Sequence, residues 1–221
     1  MTTLFHHHHD FSIGNYQFRA SVFAPQTSLC NTDSPVFSLR FQDGLSFRSL
    51  LMQSGSDNSF SMMITVVDDV KNKAGQLISF FDRASGSETL NPCQITSELT
   101  AMAKTEDLLI AASAVTINQE LQEDSLTFAM LDILMAGLPP AVVIEEGQFS
   151  FPVRSGIPFG INDLLLSEQP LELPVEASLF LHTPLHGSSY SLKDMHIMLS
   201  SFNKDEIPEG VMVFQLELLQ A

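Results

Sequence analysis

Three things are scarce in this sequence: cationic side chains, cysteine, and aromatic rings with a polar tip. Only ten lysines and arginines stand against 26 aspartates and glutamates, a formal net charge of −16 at pH 7. A nucleic-acid backbone or an anionic membrane surface needs clustered cations, so direct binding to either is not expected. Two cysteines, Cys30 and Cys93, are too few for a disulfide framework and too far apart for a local clip, so buried free thiols are expected. Tryptophan is absent and tyrosine occurs twice, whereas phenylalanine occurs 17 times. A ring without a polar tip belongs in a dry core or a dry interface. No stretch of eighteen apolar residues occurs, and His6 to His9 stand where a leader would carry a basic start and an apolar middle. The expectation is a soluble intracellular protein, or one assembled into a particle such as a virion.

Charged residues make up 16% of the chain and apolar residues 44%, a mixture that suits strands better than solvated helices. The acids are uneven: residues 1–99 carry nine acids and six bases, residues 100–221 carry 17 acids and four bases. They are dispersed, with pairs such as Asp68-Asp69 and Glu145-Glu146 as the longest runs, so they read as a solubilising skin.

The clearest pattern is Val36 to Val67. Phe37, Leu39 and Phe41 alternate with Ser38 and Arg40; beyond Asp43-Gly44, Leu45, Phe47 and Leu51 alternate with Ser46 and Arg48; Phe60, Met62, Ile64 and Val66 continue the pattern after Gly55-Ser56-Asp57-Asn58. Period two predicts strands, and Asp-Gly predicts a tight hairpin, hence a β-meander. Tyr16 to Phe23 alternates in the same way. Gly75 within 68–81 favours a further hairpin there over a helix.

From Thr96 to Gly137 the texture changes to Ala, Leu, Met and Glu. Helices are expected there, with Thr96 or Ser97, Asp107, and Asp124 or Ser125 as their caps. Strand-like runs return at Ala141 to Ile144, Gln148 to Val153, Ala177 to His182, Tyr190 to Ser200 and Val211 to Leu219. The predicted fold class is mainly β (α+β), an antiparallel β-sandwich or barrel-like pair of sheets with a partly helical insert around residues 96–137. One domain over 1–221 is expected, β-rich over 11–90, partly helical over 91–138 and β-rich again over 139–221.

Side chains with chemistry are few. In an extended strand His6 and His8 share one side and His7 and His9 the other, so His6 and His8 are candidate metal ligands. His182 and His186 have helical ligand spacing, but Pro184 and Gly187 forbid the helix. If Ala177 to His182 and Tyr190 to Ser200 paired, His182 and His196 would approach each other near Asp194 as a second candidate metal pair. Asp68 and Asp69, with Asp82, could ligate a hard cation. Arg40 and Arg48, two of the ten bases, are read on the face opposite the apolar one and are the candidate interaction residues. Nucleophile-elbow, phosphate-loop, dinucleotide-loop, C-x-x-C and EF-hand motifs do not occur, so no catalytic residue is assigned.

The leading expectation is therefore a non-enzymatic structural or interaction subunit of a larger homo- or hetero-oligomer, such as a virion or phage-tail component. No cofactor is assigned beyond a divalent metal at the histidines. The alternative is a metal-dependent enzyme or metal-binding β-barrel using His182 and His196.

Overall fold

The computed structural model describes residues 4–25, 29–31, 36–42, 46–54, 58–68, 79–80, 92–119, 127–161, 168–184, 207 and 210–220. Thirteen strands and one helix are defined there. They are β1 (Leu4–Ile13), β2 (Tyr16–Pro25), β3 (Leu29–Asn31), β4 (Val36–Gln42), β5 (Ser46–Ser54), β6 (Ser59–Asp68), α1 (Pro92–Glu106), β7 (Ile110–Asn118), β8 (Phe128–Ala136), β9 (Val142–Glu145), β10 (Gln148–Ser150), β11 (Gln169–Pro174), β12 (Ser178–His182) and β13 (Val213–Gln220). Two antiparallel sheets result, a six-stranded one in the order β1-β2-β13-β12-β9-β10 and a seven-stranded one in the order β11-β8-β7-β6-β5-β4-β3. The mainly β, two-sheet expectation is correct.

The main core lies between the sheets. Phe18, Ala20, Val22, Leu179, Leu181, Phe214 and Leu216 of the six-stranded sheet meet Leu39, Leu50, Met52, Ile64, Val115, Leu131 and Ile133 of the seven-stranded one. A second cluster covers the outer face of the seven-stranded sheet, where Leu99 and Ala103 of α1 pack with Phe47, Leu51, Met63, Ala112, Ala114 and Leu134. The central strands of that sheet are thus buried on both faces.

This corrects the helical insert. Only one helix is present among the described residues of 96–137, and it starts at Pro92, ahead of the expected caps; proline suits a first helical turn because its missing N–H has no intrahelical partner there. Asp107 ends that helix instead of starting another: its φ is 52°, and the Leu108 N–H donates to the Ala103 carbonyl at 2.9 Å, a Schellman closure. Ile110–Asn118 and Phe128–Ala136 are strands. A strand apolar on both faces loses its alternation and looks like a helix by periodicity.

The meander's pairing also needs correction. Leu39 opposes Leu50, Phe37 opposes Met52 and Phe41 opposes Arg48. Odd positions of β4 therefore share the inner face with even positions of β5, which sends Phe47 and Leu51 outward under α1. Of the 68–81 segment expected as a hairpin, residues 69–78 and 81 lie outside the described residues, while Ser79 and Phe80 are helical. The hairpin at Glu145-Glu146-Gly147 is present, with φ of 48° at Glu146 and 75° at Gly147 as a type I′ turn demands.

Candidate functional site

Short connections decide which strand ends meet. β2 leads into β3 through residues 26–28, and β8 into β9 through residues 137–141. The C-terminal ends of β2, β4, β6, β8 and β12 therefore gather at one end of the sandwich, with the N-terminal ends of β3, β5, β7, β9 and β13. Register confirms the grouping within each sheet: Ser46 opposes Asp68, Val67 opposes Ile110, Phe180 opposes Val142, and His182 opposes Val213, which opposes Phe23.

The polar side chains buried at this end include Ser46, Arg48, His182 and Thr183. Arg48 is 1% exposed and stands on the inner face between Phe41 and Val66. Its Nε donates to the Ser46 hydroxyl at 3.2 Å. The expectation of an exposed basic face carrying both arginines is thus wrong for Arg48. Arg40, half-buried, stands on the opposite face, because β4 and β5 pair odd with even. Nothing in the alternation marked Arg48 as inward once the wrong strand-to-strand phase was assumed.

His182 is buried on the outer face of the six-stranded sheet, beside Phe180 and Val213. Its Nδ1 donates to the Thr183 carbonyl at 3.0 Å, so Nε2 is the basic nitrogen of the neutral ring. Thr183 stitches β12 to the chain entering β13: its hydroxyl accepts from the Met212 N–H at 3.0 Å and its own N–H donates to the Met212 carbonyl, also at 3.0 Å. The strand beside His182 is therefore β13; His196, Tyr190 to Ser200 and His186 lie outside the described residues.

A strap crosses the same end. The Phe159 N–H donates to Ile110 and the Ile110 N–H to Phe159, while Gly137 and Gly156 are joined through the Gly137 N–H and the Gly156 carbonyl at 2.8 Å. Gly160 has φ +100°, and a Cβ there would lie 2.2 Å from the Leu108 carbonyl oxygen. Only glycine fits that approach.

β6 delivers Asp68 to this end, at the register position opposite Ser46. Asp69 and Asp82 lie outside the described residues. Among the described residues no three His, Cys, Asp or Glu side chains stand close enough to hold a metal ion. His6 lies at the same end but on the edge strand: it opposes Phe23, and through Val213 that row ends at His182, three strand spacings or roughly 14 Å away. His6 and His182 cannot share one ion at that distance.

Asp132 on β8 and Glu168, just ahead of β11, form a titratable pair. Burial pushes both carboxyls up, and the Asp132 charge adds to the rise at Glu168.

No family model matches the sequence, and no curated protein sequence matches it. Solved structures do. The RsbU and RsbW domains of a Mycobacterium tuberculosis protein superpose with a TM-score of 0.57 at 10% identity, over 94% of this chain and 63% of that one. The PP2C phosphatase domain with a regulatory fragment of SpoIIE from Bacillus subtilis superposes with a TM-score of 0.52 at 11% identity, over 100% of this chain and 71% of that one. RsbX, solved in complex with magnesium, gives 0.48 at 11% identity, over 87% of this chain and all of that one.

At these identities the likeness is one of fold. It stands against the expectation of a virion or phage-tail subunit, because the solved structures that share this fold include a PP2C phosphatase domain. Of the two expectations, the alternative of a metal-dependent enzyme fits these neighbours better; its His182–His196 pair lies partly outside the described residues. Among the described residues no helix is long and apolar enough to cross a membrane.

Proposed function

We propose that this protein is a phosphatase of the PP2C fold that removes phosphate from phosphoserine or phosphothreonine at the end of the sandwich where β6 stops at Asp68. The observation that carries the reading is the superposition on the SpoIIE phosphatase domain over the entire chain. The reaction breaks the ester P–O bond, forms a P–O bond to water and releases the alcohol. Arg48 supports an anionic substrate there: it is a buried cation at that end, and its guanidinium keeps its charge at all working pH values.

Phosphatases of two-metal type bind a pair of divalent cations. The described residues do not complete such a site, since no described buried polar side chain is a carboxylate. Arg48 alone would serve a second reading, in which the fold binds a phosphorylated partner without turning it over.

The two separate by experiment. The full chain is incubated with para-nitrophenyl phosphate and with a phosphothreonine peptide, in magnesium, in manganese and in chelator. Turnover that needs a divalent cation and falls about 100-fold in Asp68→Asn supports the phosphatase. Saturable peptide binding without turnover, lost in Arg48→Met, supports the second reading. Neither turnover nor binding sinks both.

A further inference from the structure

The four consecutive histidines are divided by the fold. His7 stacks on Phe37 with ring centres 4.3 Å apart, and His9 stacks on Phe11 while its Nε2 lies 3.0 Å from the Ser54 hydroxyl. Both are committed to the side of β1 that faces the seven-stranded sheet. His6 and His8 face the other way, into an open groove of about 390 Å³ lined also by Arg19, Ser21, Phe23, Gln215 and Glu217.

We propose that His6 and His8 chelate a borderline divalent transition-metal ion such as Zn²⁺ in this groove, on the outer face of the six-stranded sheet. Three observations support the pair. The first is spacing: the His6 and His8 ring centres are 5.8 Å apart. A tetrahedral ion with Zn–N bonds near 2.1 Å holds two imidazole centres roughly 5.3 Å apart, so a small rotation of one ring closes the site. The second is orientation, since His6 lies flat on Phe23, with centres at 4.5 Å and planes at 6°, which restrains one ring before any ion arrives. The third is charge. Arg19 is neutralised by Asp10 through bonds of 2.8 and 3.0 Å, so the groove's one cation is offset and Glu217 leaves it net negative.

Imidazole nitrogen suits zinc, nickel and copper and is a poor ligand for magnesium, so this site differs in metal class from a phosphatase centre. With two protein ligands the remaining positions are filled by water or by an exogenous donor. The proposal does not depend on the phosphatase reading.

The test is zinc titration of the full chain without any added tag, read by calorimetry and by the shift in melting temperature. One ion per chain is expected. His6→Gln and His8→Gln should each weaken binding by about tenfold or more, whereas His7→Phe, which keeps the stacking on Phe37, and His9→Gln should stay within about threefold. A flexible histidine run would instead lose affinity equally at all four positions and bind equally well in urea. Either result, or no binding at all, overturns the proposal.

Discussion

The two sheets present opposite outer faces. Over the seven-stranded sheet α1 is packed closely, and the side chains beneath it are small or apolar: Ala112, Ala114, Ala136, Leu51 and Met63. The six-stranded sheet has a small apolar patch at one end, made by Phe23, Phe180, Val213 and Ile207, and then a polar groove of His6, His8, Arg19, Gln215 and Glu217. The outer face of the seven-stranded sheet is packed, while that of the six-stranded sheet is buried at one end and keeps an open groove beside it. The contrast shows that an alanine-rich strand can mark where a helix lies against a sheet, because only a short side chain lets the helix approach.

The comparison can be broken most severely at the strap. Gly160→Ala should destabilise by about 3 kcal/mol or more, since the new Cβ would meet the Leu108 carbonyl in a backbone conformation that L-residues rarely adopt. Chemical denaturation measures it, and an unchanged midpoint would show that the strap is not part of the cooperative fold. Next is Leu99→Ala on the buried side of α1, expected to cost about 2–5 kcal/mol because it empties a closed part of the outer core. The exposed side of the groove should be far more tolerant: His8→Gln, without added metal, should change stability by less than about 0.5 kcal/mol.

Acidity sharpens the same contrast. Burial on Phe37, with the charges of His9 and His8 adding to it, holds His7 below the usual imidazole range. A group whose folded pKa is depressed takes up protons more readily when unfolded, so its contribution is complete above about pH 6.5 and is lost as the pH falls below that. His7→Phe should flatten the fall in melting temperature on the acid side. Asp132 works in the other sense: its carboxyl is raised by burial, so its ionised form disfavours the fold at neutral pH, and the penalty fades as the pH drops into the carboxylate range. Asp132→Asn should therefore raise the melting temperature slightly at pH 7 and have no effect at pH 3. The smallest change is expected from Asp10→Asn, at an exposed pair on the groove's rim, where no measurable loss of melting temperature should follow.

Much of the fold was legible because strands buried on one face keep period two. Strands stand at Tyr16 to Phe23, Val36 to Gln42, Ser46 to Ser54 and Ser59 to Val67, where the alternation put them, and the Glu146-Gly147 turn is where its residues put it. The central strands β7 and β8 were not, since burial on both faces erases the alternation. Of the site residues, the division of the histidines into two facing pairs follows from strand geometry alone. The inward position of Arg48 does not. It depends on whether β4 and β5 pair odd with odd or odd with even, and the sequence near Asp43-Gly44 permits a turn without fixing which residues lie opposite. The assembly at the end of the sandwich was hidden for another reason: Ser46 and Arg48 come from β5, Asp68 from β6 and His182 from β12, far apart in the chain with no local motif to link them.

One further consequence lies at the far rim of the seven-stranded sheet. There the Val175 N–H donates to the Thr127 carbonyl, so odd-numbered residues turn their amides towards β8. The even-numbered positions of β11, Pro170, Glu172 and Pro174, therefore face away from the sheet. Two of those three have no N–H to offer. A further strand laid along this rim would find one donor where it needs three, so the rim resists fibril-like extension by its covalent chemistry alone.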